Sequence, residues 1–279
     1  MDPRAPASLS VGVVVYHSDL PLLAQTLDSL ATAVDFARAE GLLDVVAVTV
    51  VDNGSPDAAA LDQAVRGALP PERSIPSDIR RGQGNVGYGR GHNVALEGSA
   101  TDYHLILNPD AIVEPGALAE ALRFLRANPD VGLLTPEVRG AEGERQYLCR
   151  RYPSVLVLFL RGFAPGWIKR RFQPLLDRYE LRDRMDTDVL RDVPLASGCF
   201  MFARRDELAA VGGFSPDYFL YFEDYDLSMR MRRHSRIAYV NRVRIVHHGG
   251  EAAKKGRTHV RLFLASALRF FRTHGWKIA

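Results

Sequence analysis

Acidic and histidine side chains stand at several places where strands or turns end, and together they could bind a divalent cation and move a proton. The first place is Leu105-Ile106-Leu107-Asn108-Pro109-Asp110-Ala111, where an apolar run stops in an oxygen-rich turn. Pro109 cannot continue a central strand, so Asp110 is delivered to the exit edge of the sheet. Open α/β folds bind ligands at that edge. A carboxylate held there can carry a divalent metal, whose natural partner is a phosphate. The competing reading is a strand-to-helix turn in which Asn108 and Asp110 act as local caps.

The second place is Tyr221-Phe222-Glu223-Asp224-Tyr225-Asp226-Leu227. Acids cap helix N-termini and complement the helix dipole, and the segment opens a helix ending in Arg230, Arg232 and Arg233. Three carboxylates exceed what one cap needs, and aromatic surroundings raise a carboxyl pKa toward the range of a general base. The third is His247-His248-Gly249-Gly250, after an apolar run. Adjacent strand residues point to opposite faces, so at most one of these histidines can face a metal. Asp52-Asn53-Gly54-Ser55 closes another apolar run as a turn.

Gly82-Gln83-Gly84-Asn85-Val86-Gly87 matches the dinucleotide fingerprint G-x-G-x-x-G, which must follow a strand and open a helix. Residues 77–81 do not read as a buried strand, and Gly89 and Gly91 prolong the glycine run before a helix expected from His92. A Rossmann oxidoreductase is therefore rejected. The segment reads either as a flexible loop or as a phosphate cradle, with backbone N–H groups, Asn85, Arg90 and Asn93.

These residues need a scaffold that alternates strands and helices. Strands are expected at residues 9–16, 45–51, 103–107, 131–135, 197–203, 237–240 and 244–247. Helices are expected at 20–33, 58–69, 92–98, 115–127 and 205–211, with another following the acidic cluster to about residue 233. Residues 145–192, broken by Pro153, Pro165 and Pro174, predict irregular helices. This order implies an α/β fold with a mostly parallel sheet and right-handed crossovers. In the tail, Val260, Phe263, Leu264, Ala267, Leu268 and Phe271 form an amphipathic stripe, which either docks on the parent domain or lies on a membrane.

The 279 residues suffice for one large domain or two small ones. Net charge is only +3, yet residues 145–172 and 252–279 each carry seven Lys or Arg and no acid. Positive charge so concentrated fits an anionic partner, or else solvated helix faces. Cys149 and Cys199 lack metal-ligand spacing and fit a reducing compartment. The opening residues do not read as a signal peptide, and no apolar run is long enough to span a bilayer. The expected setting is cytoplasmic, with the inner membrane face as a place of peripheral contact.

Taken in order, these pieces resemble the family 2 glycosyltransferases of the GT-A fold, most closely their bacterial rhamnosyltransferase-like members. The resemblance rests on the strand at 11–16, Val51-Asp52-Asn53-Gly54-Ser55, Asn85 to Asn93, Leu107-Asn108-Pro109-Asp110-Ala111, Gly212-Gly213-Phe214, the Glu-Asp-Tyr-Asp core at 223–226, and His247-His248-Gly249-Gly250. It implies a GT-A fold with a Rossmann-like, mostly parallel central sheet flanked by helices and a C-terminal helical tail. Residues 1–250 would form the transferase domain, with 9–110 the nucleotide-sugar half and 111–250 the acceptor half. Residues 251–279 would be the basic tail helix.

The resemblance also implies roles. Tyr16, Asp52, Asn53, Asn85, Gly87, Arg90, Asn108 and Asp110 would line the nucleotide-sugar site. Asp110 and His247 would ligate Mg²⁺ or Mn²⁺ bridging the donor diphosphate. Asn108 stands where the family's Asp-x-Asp motif has its first acid, a departure shared with the rhamnosyltransferase-like branch. Asp224 would be the catalytic base, with Glu223 beside it. The implied activity is inverting, metal-dependent transfer of L-rhamnose from dTDP-L-rhamnose to a cell-envelope saccharide or lipid-linked glycan, with no nucleic-acid partner. UDP- or GDP-sugar donors, and a non-catalytic nucleotide- or glycan-binding protein on the same scaffold, are the alternatives.

Overall fold

The computed structural model describes residues 5–249 and 256–279. Its first half is a run of parallel crossovers. The elements are β1 (Ala7–Val15), α1 (Leu20–Ala39), β2 (Leu43–Asp52), α2 (Ala58–Ala68), β3 (Ser77–Arg80), α3 (Tyr88–Leu96) and β4 (Tyr103–Leu107). β3, β2, β1 and β4 lie side by side in that order, all parallel. Asp19 and Asp57 start α1 and α2 by accepting from the N–H groups of Leu22 and Ala60, both at 2.9 Å.

The second half contains β5 (Ala111–Val113), α4 (Ala117–Ala127), β6 (Val131–Arg139), β7 (Arg145–Gln146), α5 (Val155–Phe163), α6 (Gly166–Arg171), α7 (Gln173–Tyr179), β8 (Val189–Arg191), β9 (Phe200–Arg204), α8 (Arg205–Ala210), α9 (Glu223–Met231), β10 (Arg236–His247) and α10 (Gly256–His274). The sheet continues β4-β9-β6-β10-β5, with β7 on β6 and β8 on β10. β9 runs against both neighbours, while β6 and β10 share the direction of β1 to β4. The expected parallel set is therefore present, with antiparallel strands let into its second half.

Period-two alternation builds a core on each face of the sheet. Leu105, Leu107, Phe200 and Phe202 pack with α1, α2 and α4, whereas Ile106, Met201 and Ala203 pack with residues of α8 and α9. Each large side chain buried this way contributes about 1.5–3 kcal/mol.

Several expectations change, and the stretch 145–192 adds the short strands β7 and β8 to its helices. Residues 77–80 do form a strand, but an exposed edge strand, so they carry no apolar signature. α3 starts at Tyr88 and contains Gly89 and Gly91. A Cβ on Gly89 would meet Phe214 Cβ at 2.9 Å, and one on Gly91 would meet Val14 at 2.9 Å. Those glycines let the helix press onto its neighbours instead of delaying it. The strands expected at 237–240 and 244–247 are one strand, β10, with a register break between Val240 and Arg244.

The tail docks, but on a shifted stripe. Phe263, Ala267, Phe270 and Phe271 pack with Tyr152, Leu158, Tyr218 and Phe222, while Val260, Leu264 and Leu268 stay exposed. Gly250 of the histidine motif and Lys254 and Lys255 of the basic tail lie outside the described residues.

Candidate active site

Asp110 is held from three directions where β4 ends. Asn108 N–H donates to Cys199 O at 2.9 Å, and Thr26 Oγ1 donates to Pro109 O at 3.0 Å. His248 N–H donates to Asp110 O at 3.0 Å, which brings the end of β10 alongside. Strand parity then aims His247 at the carboxylate, with Nε2 3.3 Å from Asp110 Oδ1, and leaves His248 exposed.

This corner has the features of a cation site. Asp110 Oδ1 is buried and has no well-directed hydrogen bond, since the His247 contact is close but off line. A Cβ on Gly249 would sit 2.6 Å from Asp110 Oδ2 and 2.9 Å from His247 Nε2, so the glycine keeps the cradle open. Adjacent ligands of an octahedral divalent cation lie roughly 3 Å apart. Among the described residues no third His, Cys, Asp or Glu joins the pair, so other ligands would come from substrate oxygens and water.

Gln146, on β7, grips His247 twice. Its Nε2 donates to His247 O at 3.1 Å, and its Oε1 lies 3.4 Å from Nδ1. With a cation bound at Nε2, that contact would keep the proton on Nδ1 and leave the Nε2 lone pair to the metal. Burial pushes the Asp110 carboxyl up, but His247 and Asn108 outweigh it and hold it below the usual range.

The acidic cluster sits at the start of α9, after two residues in the left-handed region, Tyr221 (φ 72°) and Phe222 (φ 66°). Such strain in non-glycine residues gathers at functional sites. Asp224 Oδ2 accepts from Gly198 N–H at 3.0 Å and Oδ1 from Tyr225 N–H at 2.9 Å. Burial raises its pKa, against those two N–H groups and the Arg150 charge. Glu223 is buried, Oε2 has no partner, and burial together with the neighbouring Asp224 raises it too. Asp226 points elsewhere, accepting from Arg230 Nε at 2.7 Å and lying 2.8 Å from His274 Nε2. Of the three acids, Asp224 is the one that is raised without its residue being fully buried.

The third group lies after β2. Asp52 Oδ1 accepts from the N–H groups of Gly54 (3.0 Å) and Ser55 (2.7 Å), and Arg81 Nε donates to Oδ2 at 3.1 Å. Burial opposes ionisation of Asp52, but these donors prevail and its pKa falls. Tyr16 is 53% exposed, and its ring lies against the open face of Gly54, where a base could stack. Asn53 is buried and donates to Gly87 O at 3.0 Å, so it fixes the glycine loop from behind. Asn85 Oδ1 accepts from Gly87 N–H at 3.1 Å. Gly87 has φ 87°, and a Cβ there would collide with Phe219 O. Arg90 is exposed, and its Nε donates to Pro216 O at 2.7 Å, which braces the turn at 214–216.

Tyr88 joins the three groups. Its N–H donates to Phe219 O at 3.1 Å, and its Oη shares one proton between Gly198 O (2.5 Å) and Asn108 Oδ1 (3.0 Å). Asn108 Nδ2 in turn lies 3.3 Å from His247 Nε2. A single tyrosine thus links the glycine loop, through its backbone, to the Gly198 peptide that holds Asp224 and to the Asp110–His247 corner, through its phenol. Tyr88, Gln146, Gly198 and Arg81 were not singled out by sequence. Only Arg81, next to Arg80 before the glycines, had a local signal.

Fold and site together define a GT-A-type transferase scaffold. The family described as "Glycosyltransferase like family 2" matches residues 6–262, and the chain belongs to that family, as a glycosyltransferase. It is 28% identical over 249 residues to an N-acetylglucosaminyl-diphospho-decaprenol L-rhamnosyltransferase of Mycobacterium tuberculosis, covering 85% of this chain and 75% of that one. It is 27% identical over 177 residues to rhamnosyltransferase WbbL of Escherichia coli, covering 59% and 62%. In structure it resembles mannosyltransferase PcManGT from Pyrobaculum calidifontis in complex with GDP-Man and Mn²⁺, with a TM-score of 0.60 and 20% identity, over 96% of this chain and 66% of that one. S. aureus TarS in complex with UDP-GlcNAc gives a TM-score of 0.58 at 18% identity, over 95% and 66%.

Proposed function

We propose that the chain is an inverting, metal-dependent rhamnosyltransferase that takes L-rhamnose from dTDP-L-rhamnose and places it on a hydroxyl of a lipid-linked or cell-envelope saccharide. The observation that carries the reading is the linkage of a raised carboxylate, Asp224, to the Asp110–His247 corner through Tyr88 and Gly198. The rhamnosyltransferase names of two relatives support the sugar, and the diphospho-decaprenol in one of them supports a lipid-linked acceptor.

In this reading Tyr16 stacks on the donor's base, and the Asp52 turn and Arg81 close the nucleoside end. Asp110 and His247 would hold Mg²⁺ or Mn²⁺, which would supply the positive charge that neutralises the leaving diphosphate. The complex of mannosyltransferase PcManGT with Mn²⁺ supports the choice of metal. Asp224 takes the proton of the acceptor hydroxyl while that oxygen forms its bond to the anomeric carbon. The bond from that carbon to the diphosphate oxygen breaks as the new one forms, so the configuration inverts. Raised by burial, Asp224 is a stronger base than an ordinary carboxylate.

The test is a thermal-shift panel with Mn²⁺ and nucleoside diphosphates or their sugars. Binding to the native state raises the midpoint. Stabilisation by dTDP and dTDP-L-rhamnose above their UDP and GDP counterparts is expected. Preference for a UDP- or GDP-sugar would overturn the donor, and donor binding without hydrolysis or transfer would overturn the enzyme.

A further inference from the structure

The basic segment 145–172 divides into a neutralised part and an unpaired part. Arg145 pairs with Asp186 at 2.9 Å and Arg151 with Asp183 at 2.7 Å, while Arg150 and Arg161 both approach Glu180 at 3.7 Å. Arg170 and Arg171, by contrast, are exposed and have no carboxylate partner among the described residues. Lys169 sits beside them with its Nζ on Arg161 O at 2.8 Å.

These cations adjoin a set of exposed aromatic rings. On α5, Val157, Leu158 and Leu160 face inward, while Val155, Phe159 and Phe163 recur every four residues on the outer side. Phe159 is 54% exposed, Phe163 is 48% exposed, and their rings stack at 6.2 Å. One residue into α6, Trp167 is 67% exposed. The C-terminus extends this face. Val155 N–H donates to Lys277 O at 2.8 Å and Leu156 N–H to Ile278 O at 3.1 Å, which brings Trp276 and Ile278, both exposed, to the start of α5.

Exposed aromatic rings gathered on two successive helices beside the chain end point to an interaction site. Aromatic rings on short amphipathic helices, rimmed by unpaired Lys and Arg without acids, match the headgroup boundary of an anionic bilayer. Both tryptophans of the chain lie here, the residue type best suited to a surface apolar on one side and wet on the other.

We propose that α5, α6 and the C-terminal residues form a bilayer-docking face that inserts Phe159, Phe163 and Trp167 shallowly into anionic phospholipid, with Lys169, Arg170 and Arg171 at the headgroups. This relocates the membrane contact from the expected tail stripe, whose Phe263, Ala267 and Phe271 pack internally. The face lies one layer from the acidic cluster. Leu158 shares a packing cluster with Phe222, and Tyr179 Oη, under α5, lies 2.8 Å from Tyr225 Oη. The proposal does not rest on the transferase reading, because its test measures no transfer.

The experiment uses the full chain carrying Trp276→Phe, which leaves Trp167 as its one tryptophan. Vesicles of equal parts phosphatidylglycerol and phosphatidylcholine should shift Trp167 emission to the blue, and lipid-borne quenchers near the headgroups should quench it. Arg170→Glu with Arg171→Glu should weaken vesicle binding at least about tenfold, at roughly 1 kcal/mol per basic residue near such a surface. Phe159→Ser with Phe163→Ser should weaken it comparably while the unfolding midpoint holds, since both rings are exposed. Unchanged Trp167 emission would overturn the proposal. So would equal binding to pure phosphatidylcholine, undiminished binding of either double variant, or concentration-dependent self-association of the chain without vesicle binding.

Discussion

His274, in the last turn of the tail helix, places Nε2 2.8 Å from Asp226 Oδ1, two residues along α9 from Asp224. Both side chains are buried, and Arg230 Nε holds the other Asp226 oxygen at 2.7 Å. The tail is thereby fastened to the helix that carries the acidic cluster. Removing one partner leaves a buried polar group unmet, so His274→Ala should cost about 1–3 kcal/mol. Urea unfolding measures this, and an unchanged free energy would show the contact to be incidental.

Asp224→Asn should abolish transfer and leave donor affinity nearly intact. In the parent enzyme the base must be ionised, and burial raises its pKa. Turnover should therefore fall as pH drops through a value above the ordinary carboxylate range. A pH profile with its acid limb in the ordinary range near 4 would contradict this assignment.

Glu223 links pH to stability. Its raised pKa means the folded state holds the proton more tightly than the unfolded chain, with burial first and Asp224 second as causes. The stabilisation is complete below the ordinary glutamate value and is lost as pH rises through the raised one. Glu223→Gln removes that loss. Between about pH 5 and about pH 8 the variant's melting midpoint should decline less than the parent's. Parallel declines would mean that Glu223 ionises freely.

Asp110→Ala should weaken metal-dependent donor binding, and titration with and without Mn²⁺ separates the two contributions. Gln146 acts through His247, so Gln146→Ala should weaken Mn²⁺ affinity roughly tenfold or more. Gln146→Glu, which keeps an acceptor for Nδ1–H, should restore most of it. Mn²⁺ affinity measured by electron paramagnetic resonance reads this without turnover; equal affinity in all three proteins would remove Gln146 from the site.

What the sequence made legible follows from how local each signal is. Pro109 ends β4 by backbone chemistry, so the place of Asp110 could be read from seven residues. Strand parity limited the histidine pair to one inward ring, and the contact between His248 N–H and Asp110 O decides which. β3 escaped notice because an exposed edge strand needs no apolar alternation. The tail stripe was ambiguous because two apolar lines share the 3.6 period, and burial of Phe270 and His274 selects between them. Tyr88 meets Gly198, and Gln146 meets His247, only through the tertiary path, over separations of 110 and 101 residues. No pattern within one element encodes such a meeting.

Gly87 touches Phe219 so closely that no side chain fits between them, and the next residue's N–H bonds the same carbonyl. The loop proposed to receive the donor and the turn leading into Glu223 and Asp224 therefore share one wall. For a two-substrate enzyme this predicts compulsory order: the acceptor surface is completed only after the donor has seated. The released nucleoside diphosphate should then compete with the donor and inhibit noncompetitively against the acceptor. Random-order kinetics would mean that the shared wall does not govern acceptor binding.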